Sequence, residues 1–177
     1  DAALSAFAVF FTQSPSFLDY QVRMQKARGR NNATALFGVH RIPSDQQIRN
    51  LLDPVPAEQL APLLMDTVDG LYRLGELETH RAFAGGFLLA LDGTEYFSSQ
   101  AIGCPNCSTR ALANGKTQYH HVAVTPVLVG PGQAAVFPLP PAFVAPQDGH
   151  TKQDCELAAS ARWLPQWAPR IAPWGIA

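Results

Sequence analysis

The chain has 177 residues, 47 % of them apolar, and a formal charge of −1. That length suits one ordinary domain or two small ones, and that apolar content supports a packed core and excludes wholesale disorder. The net charge carries no nucleic-acid signal, no apolar run reaches the ~18–20 residues of a membrane span, and three cysteines fit a reducing, cytoplasmic setting better than a disulfide scaffold.

Ala2–Phe11 reads as a buried helix. No basic residue precedes it and Gln13-Ser14-Pro15 ends it, so it is not read as a signal peptide. Ser16 caps a second helix with Phe17, Leu18, Tyr20 and Val22 as its apolar set. Arg28-Gly29-Arg30-Asn31-Asn32 is a polar loop. Ser44 caps a further helix, with Gln47 at the capping-box position. Ala57–Leu74 carries Leu60, Leu63, Leu64, Val68, Leu71 and Tyr72 at helical spacing, with Gly75 as its C-cap. Residues 1–82 therefore read as a helical region, either a plain bundle or a helix-turn-helix DNA reader. Charge is uneven along it. Between Tyr20 and Asn50, Arg23, Lys26, Arg28, Arg30, Arg41 and Arg49 face Asp45 alone, whereas seven acids face Arg73 and Arg81 from Leu51 to Asp92. A basic segment of this kind suits a nucleic-acid surface, and a solvated helix face gives the same count.

From Phe83 the pattern changes. Phe87–Leu91 reads as a strand, Tyr96–Ser98 continues it or pairs with it, and Cys104–Lys116 reads as a loop. His120–Val129 is a strand despite Pro126, and a turn at Gly130-Pro131-Gly132 leads to a third strand, Ala134–Leu139. Thr151 then caps a helix that runs to Pro165, with Asp154 at its capping-box position. The expected order for 83–177 is β-β-β-α after a helical region, an α+β chain. Both ends read as cuts.

Three constellations carry chemistry. Asp92 ends an apolar run, Phe87–Leu91, where a strand supports a metal-binding carboxylate; Asp92-Gly93 also fits a two-residue hairpin turn. Cys104-Pro105-Asn106-Cys107 presents two thiols, and His120 is the candidate to close on the same ion as a zinc half-site; for the fourth ligand His121, on the opposite face of its strand, is poorly placed and Cys155 is remote in sequence. The alternative is a pair of small buried thiols. Gln147–Glu156 gathers Asp148, Asp154, Glu156, His150 and Lys152 at a loop-to-helix junction, as a charged helix start also does. No phosphate-binding glycine loop and no Gly-x-Ser-x-Gly is present.

Taken together, Leu89–Ser99, Ile102–Cys107, Tyr119-His120, Lys152–Glu156 and Arg162-Trp163-Leu164 resemble bacterial insertion-sequence transposases of the DDE type, over about Ala2–Leu164. The resemblance implies a helical N-terminal region, 1–82, that binds DNA, and the first half of a ribonuclease-H-like catalytic fold, 83–177. It implies two Mg²⁺ (or Mn²⁺) ions held by three acids for phosphodiester cleavage and strand transfer at transposon ends and target DNA, chemistry that hard carboxylate ligands suit. Asp92 matches the first acid, and Arg23, Lys26, Arg28, Arg30, Lys152 and Arg162 are the candidate DNA contacts.

This sequence departs from that pattern. No acid follows Glu156, so the second and third acids are missing and the expected activity is none for this chain alone. The competing expectation is a non-catalytic DNA-binding module or inhibitor derived from such an enzyme. A half sheet with an open edge also favours a homo-oligomer.

Overall fold

The computed structural model describes residues 1–27, 30, 32–146 and 154–176. It is an α+β structure in two compact units, Asp1–Gln59 and Leu60–Ala177. The division falls ahead of the expected boundary at 82. The reason is packing: Met65 and Val68 share one core with Phe87 and Leu128.

The first unit holds α1 (Ala2–Phe11), α2 (Phe17–Lys26), α3 (Asn32–Phe37) and α4 (Asp45–Leu52). Local chemistry sets their starts. Ser16 Oγ accepts the Asp19 N–H at 3.0 Å and Ser44 Oγ accepts the Gln47 N–H at 3.1 Å, each satisfying one of the donors that a helix leaves open at its N-terminus. Ala8, Val9 and Tyr20 form the centre, with Phe17, Met24 and Phe37 against them.

The second unit opens at Leu60, which directly precedes α5 (Ala61–Arg73). Its end is a Schellman closure: the Gly75 N–H reaches Tyr72 C=O, the Glu76 N–H reaches Leu71 C=O, and Gly75 takes φ +79°. The strands are β1 (Leu88–Ala90), β2 (Gly93–Ser99), β3 (Ser108–Ala111), β4 (Thr117–Val124), β5 (Val127–Val129), β6 (Phe137–Pro138) and β7 (Ala142–Phe143). They form a three-stranded sheet, β1-β5-β6, and a second of order β2-β4-β3, with β7 also on β4; every pairing is antiparallel.

The register decides the fate of Asp92-Gly93. Ala90 pairs with Val127 and Gly93 with Val124, so the alignment carries through unbroken, and Asp92 C=O accepts the Thr125 N–H at 2.8 Å. Asp92-Gly93 is thus not a hairpin turn. It lies within one extended segment that runs antiparallel to 117–129. Beyond Glu95 the register shifts by one, which makes Tyr96 the extra residue of a β-bulge. The segment expected to be a loop, Cys104–Lys116, contains β3.

Helix α6 (Glu156–Ile171) runs through Pro165 and Pro169 instead of stopping at Pro165. Ala161, Pro165 and Pro169 lie on its exposed side, where the carbonyls that proline leaves unpaired are within reach of solvent. An interior proline costs ~3 kcal/mol. On the opposite side Trp163, Trp167 and Ile171, at helical spacing, enter the core with Phe87, Leu128, Leu139 and Trp174, each such burial contributing ~1.5–3 kcal/mol. The first turn differs as well. Thr151 lies outside the described residues, the helix starts after Cys155, and Asp154 stands before it.

Asp154 is fully buried and paired. Arg162 grips it through two bonds of 2.9 and 2.5 Å, and the Ala145 N–H adds a third at 3.0 Å. The Arg162 guanidinium chiefly, then the backbone donors against the cost of burial, holds this carboxyl below its ordinary range. A lowered folded-state value stabilises the fold above the unfolded value of ~3.9 and loses that contribution as pH falls through the folded one. Asp154→Asn should therefore lower Tm near neutrality and flatten the fall in Tm expected of the native chain in acid below about pH 4. Equal acid profiles in a Tm-versus-pH series would contradict this role.

Candidate metal centre

The centre is built on a knuckle at the entry to β3. Ser99 Oγ accepts the Ala101 and Ile102 N–H groups at 3.1 and 2.9 Å and turns the chain out of β2. Gly103 follows with the Tyr119 ring against it: a Cβ there would stand 2.7–2.9 Å from ring atoms. The next four residues fold back, with the Cys107 N–H on Cys104 C=O at 3.0 Å and the Cys104 N–H on Cys107 Sγ at 3.1 Å. The second bond places a donor on the sulfur, which favours the thiolate that a metal needs.

The strand register chooses the histidine. Ser108 pairs with His120, so one step back Cys107 faces His121. His121 Nε2 lies 3.3 Å from both Cys104 Sγ and Cys107 Sγ, and the two sulfurs are 3.4 Å apart. These three donors lie within 4.8 Å of one another, and no further Cys, His, Asp or Glu among the described residues joins them. A tetrahedral zinc ion with Zn–S of ~2.3 Å and Zn–N of ~2.0–2.1 Å sets neighbouring donors ~3.5 Å apart. The cluster is within a few tenths of an ångström of that spacing.

His120, the ligand expected from spacing alone, points to the other face. There it lines a cavity of about 380 Å³ with Ser108, Val122, Val144 and the first turn of α6. Neither His120 Nδ1 nor Ser108 Oγ has a hydrogen-bond partner among the described residues.

Aromatic rings hold the true candidate. The Tyr96 ring stacks on His121 with centroids 5.7 Å apart and planes 12° from parallel, and Phe97 lies at 5.5 Å. Two successive residues reach one imidazole because the bulge re-aims Tyr96. Burial, then the adjacent Cys104 and Cys107, pushes the Tyr96 phenol up, and burial also raises the Cys107 thiol. A metal bound by these thiols would displace their protons, so its affinity would rise with pH.

Asp92 is exposed. Its Oδ1 accepts the Gly93 N–H at 2.9 Å, and it belongs to no metal-capable group among the described residues. Glu156 approaches from α6: its carboxyl group occupies the space that a Cβ on Gly93 would need. Of the candidate DNA contacts, Arg23 pairs with Asp19 at 2.7 Å while staying 59 % exposed, and Lys26 and Arg30 are exposed. Arg162 is held by Asp154 through both terminal nitrogens while its side chain stays 46 % exposed. Arg28, Asp148 and Lys152 lie outside the described residues. No helix among the described residues is long and apolar enough to cross a membrane.

Comparison with protein-family models, curated proteins and solved structures finds no match to this chain.

Proposed function

We propose that the second unit is pinned by a soft divalent ion of the zinc class at Cys104, Cys107 and His121, within a DNA-binding chain of transposase type. The observation that carries the metal reading is the convergence of two thiols and one imidazole from segments 14 residues apart between Cys107 and His121. Thiolate and imidazole suit zinc and not Mg²⁺, which takes oxygen ligands. Three protein ligands leave the fourth position for water or an incoming donor.

The transposase reading rests on the resemblance of the motif blocks. The sheet is compatible with it: the segment bearing Asp92 lies antiparallel to 117–129, which in turn pairs with β6 and β7 before α6. A first-half ribonuclease-H-like arrangement has that order. Asp92 alone does not fit a two-ion Mg²⁺ centre, so no cleavage step is assigned to this chain. Its proposed role is to bind DNA through the basic stretch of the first unit, as part of a transposition apparatus or as an inhibitor of one.

Fluorescence anisotropy on labelled duplex DNA tests this reading. Affinity should fall steeply with salt, and Arg23→Gln, Lys26→Gln and Arg30→Gln should each lower the log–log slope by ~0.9 if the residue meets one phosphate. No binding, or binding indifferent to salt, would sink the DNA reading. With Mg²⁺ or Mn²⁺ present, supercoiled plasmid should stay uncut.

A further inference from the structure

We propose that Cys104 and Cys107 are a reversible dithiol–disulfide pair, oxidised by a peroxide, and that closing the disulfide releases the metal ion. The pair itself stands on geometry; its coupling to metal rests on the metal reading above. The sulfurs are 3.4 Å apart, at either end of one tight turn. A disulfide requires ~2.05 Å, an approach of about 1.4 Å. The two thiols differ in access, Cys104 being exposed and Cys107 buried. That difference assigns their parts.

The Cys104 sulfur attacks one oxygen of hydrogen peroxide. The O–O bond breaks, the thiol proton leaves with the departing hydroxide as water, and Cys104 becomes a sulfenic acid. The Cys107 sulfur then attacks the Cys104 sulfur. The S–O bond breaks, and the released hydroxide takes the Cys107 proton to form a second water. Two thiols and one peroxide give one disulfide and two waters; from the zinc-loaded state, where both sulfurs are thiolates, the two protons come from solvent. A dithiol reductant reverses the state by exchange, forming its own disulfide. Once the disulfide forms, His121 is the sole remaining donor of the cluster, too few to retain zinc.

The test uses the full chain carrying Cys155→Ser, which removes the remaining exposed thiol. After zinc loading, hydrogen peroxide is added, zinc release is followed with a chromogenic chelator, and the Cys104–Cys107 peptide is mapped after alkylation. The expected result is release of the bound zinc in step with disulfide formation, and full rebinding after dithiothreitol. Zinc retained with both thiols still alkylatable, or oxidation that stops at irreversible sulfinic acid, would overturn the proposal. A chain that binds zinc but fails in either way leaves the metal reading intact. A chain that never binds zinc defeats that reading and the coupling with it. The dithiol pair is then judged by the same peptide mapping on the metal-free chain, where failure to form the disulfide overturns it too.

Discussion

Trp163→Ala should destabilise the second unit by about 3–5 kcal/mol, the range for deleting a large buried aromatic. Trp163 is 1 % exposed, sits among Phe87, Leu128, Leu139 and Trp167, and donates its Nε1–H to Pro140 C=O at 2.6 Å. Alanine removes both the packing and that bond. Trp163→Phe should retain most of the packing but leave the buried Pro140 carbonyl unpaired, at a cost of about 1–3 kcal/mol. Urea titration followed by far-ultraviolet circular dichroism separates the two. A loss under ~1 kcal/mol for the alanine variant would show that α6 does not hold this core.

Zinc should stabilise the same unit, and Cys107→Ser should abolish the effect. A ligand that binds only the folded state raises Tm with its concentration; at about 100-fold excess over Kd the rise should be on the order of 10 °C for a unit of this size. Serine keeps the size of the side chain and removes the soft donor, so apparent zinc affinity should fall by about 100-fold or more. Cys155→Ser should change nothing, because Cys155 lies outside the cluster. Thermal melts with and without zinc check all three chains. A zinc response that survives Cys107→Ser would place the ion elsewhere.

What was legible in the amino-acid order was local. Ser16, Ser44 and Gly75 announce helix ends through bonds that span three to five residues, and the structure shows each of them. The extended runs Phe87–Leu91 and His120–Val129 were legible from β-branched and alternating residues. Misreadings arose where distant pairing outweighs local preference. Pro165 breaks helices by its own chemistry, yet the buried faces of Trp163, Trp167 and Ile171 carry α6 past it. Asp-Gly favours a hairpin, but the continuous register with 117–129 keeps it extended.

The candidate metal centre shows the same division. Cys104 and Cys107 stand out by spacing, and the notion that only one of two adjacent histidines faces them follows from strand alternation. Which one it is depends on the β3–β4 register. The polar stretch Ser108–Ala111 hid β3, so that register could not be counted, and His120 was read in the position beside the two thiols that His121 occupies. The bulge at Tyr96, which brings its ring onto His121, carries no local signature at all.

The most direct measurement is zinc binding by competition with a chelator of known affinity, on the native chain and on His121→Ala and His120→Ala. The account predicts one zinc ion per native chain, a loss of affinity of about 100-fold or more in His121→Ala, and near-native affinity in His120→Ala. Loss in His120→Ala with retention in His121→Ala would contradict the centre described here, and so would a native chain that binds no zinc.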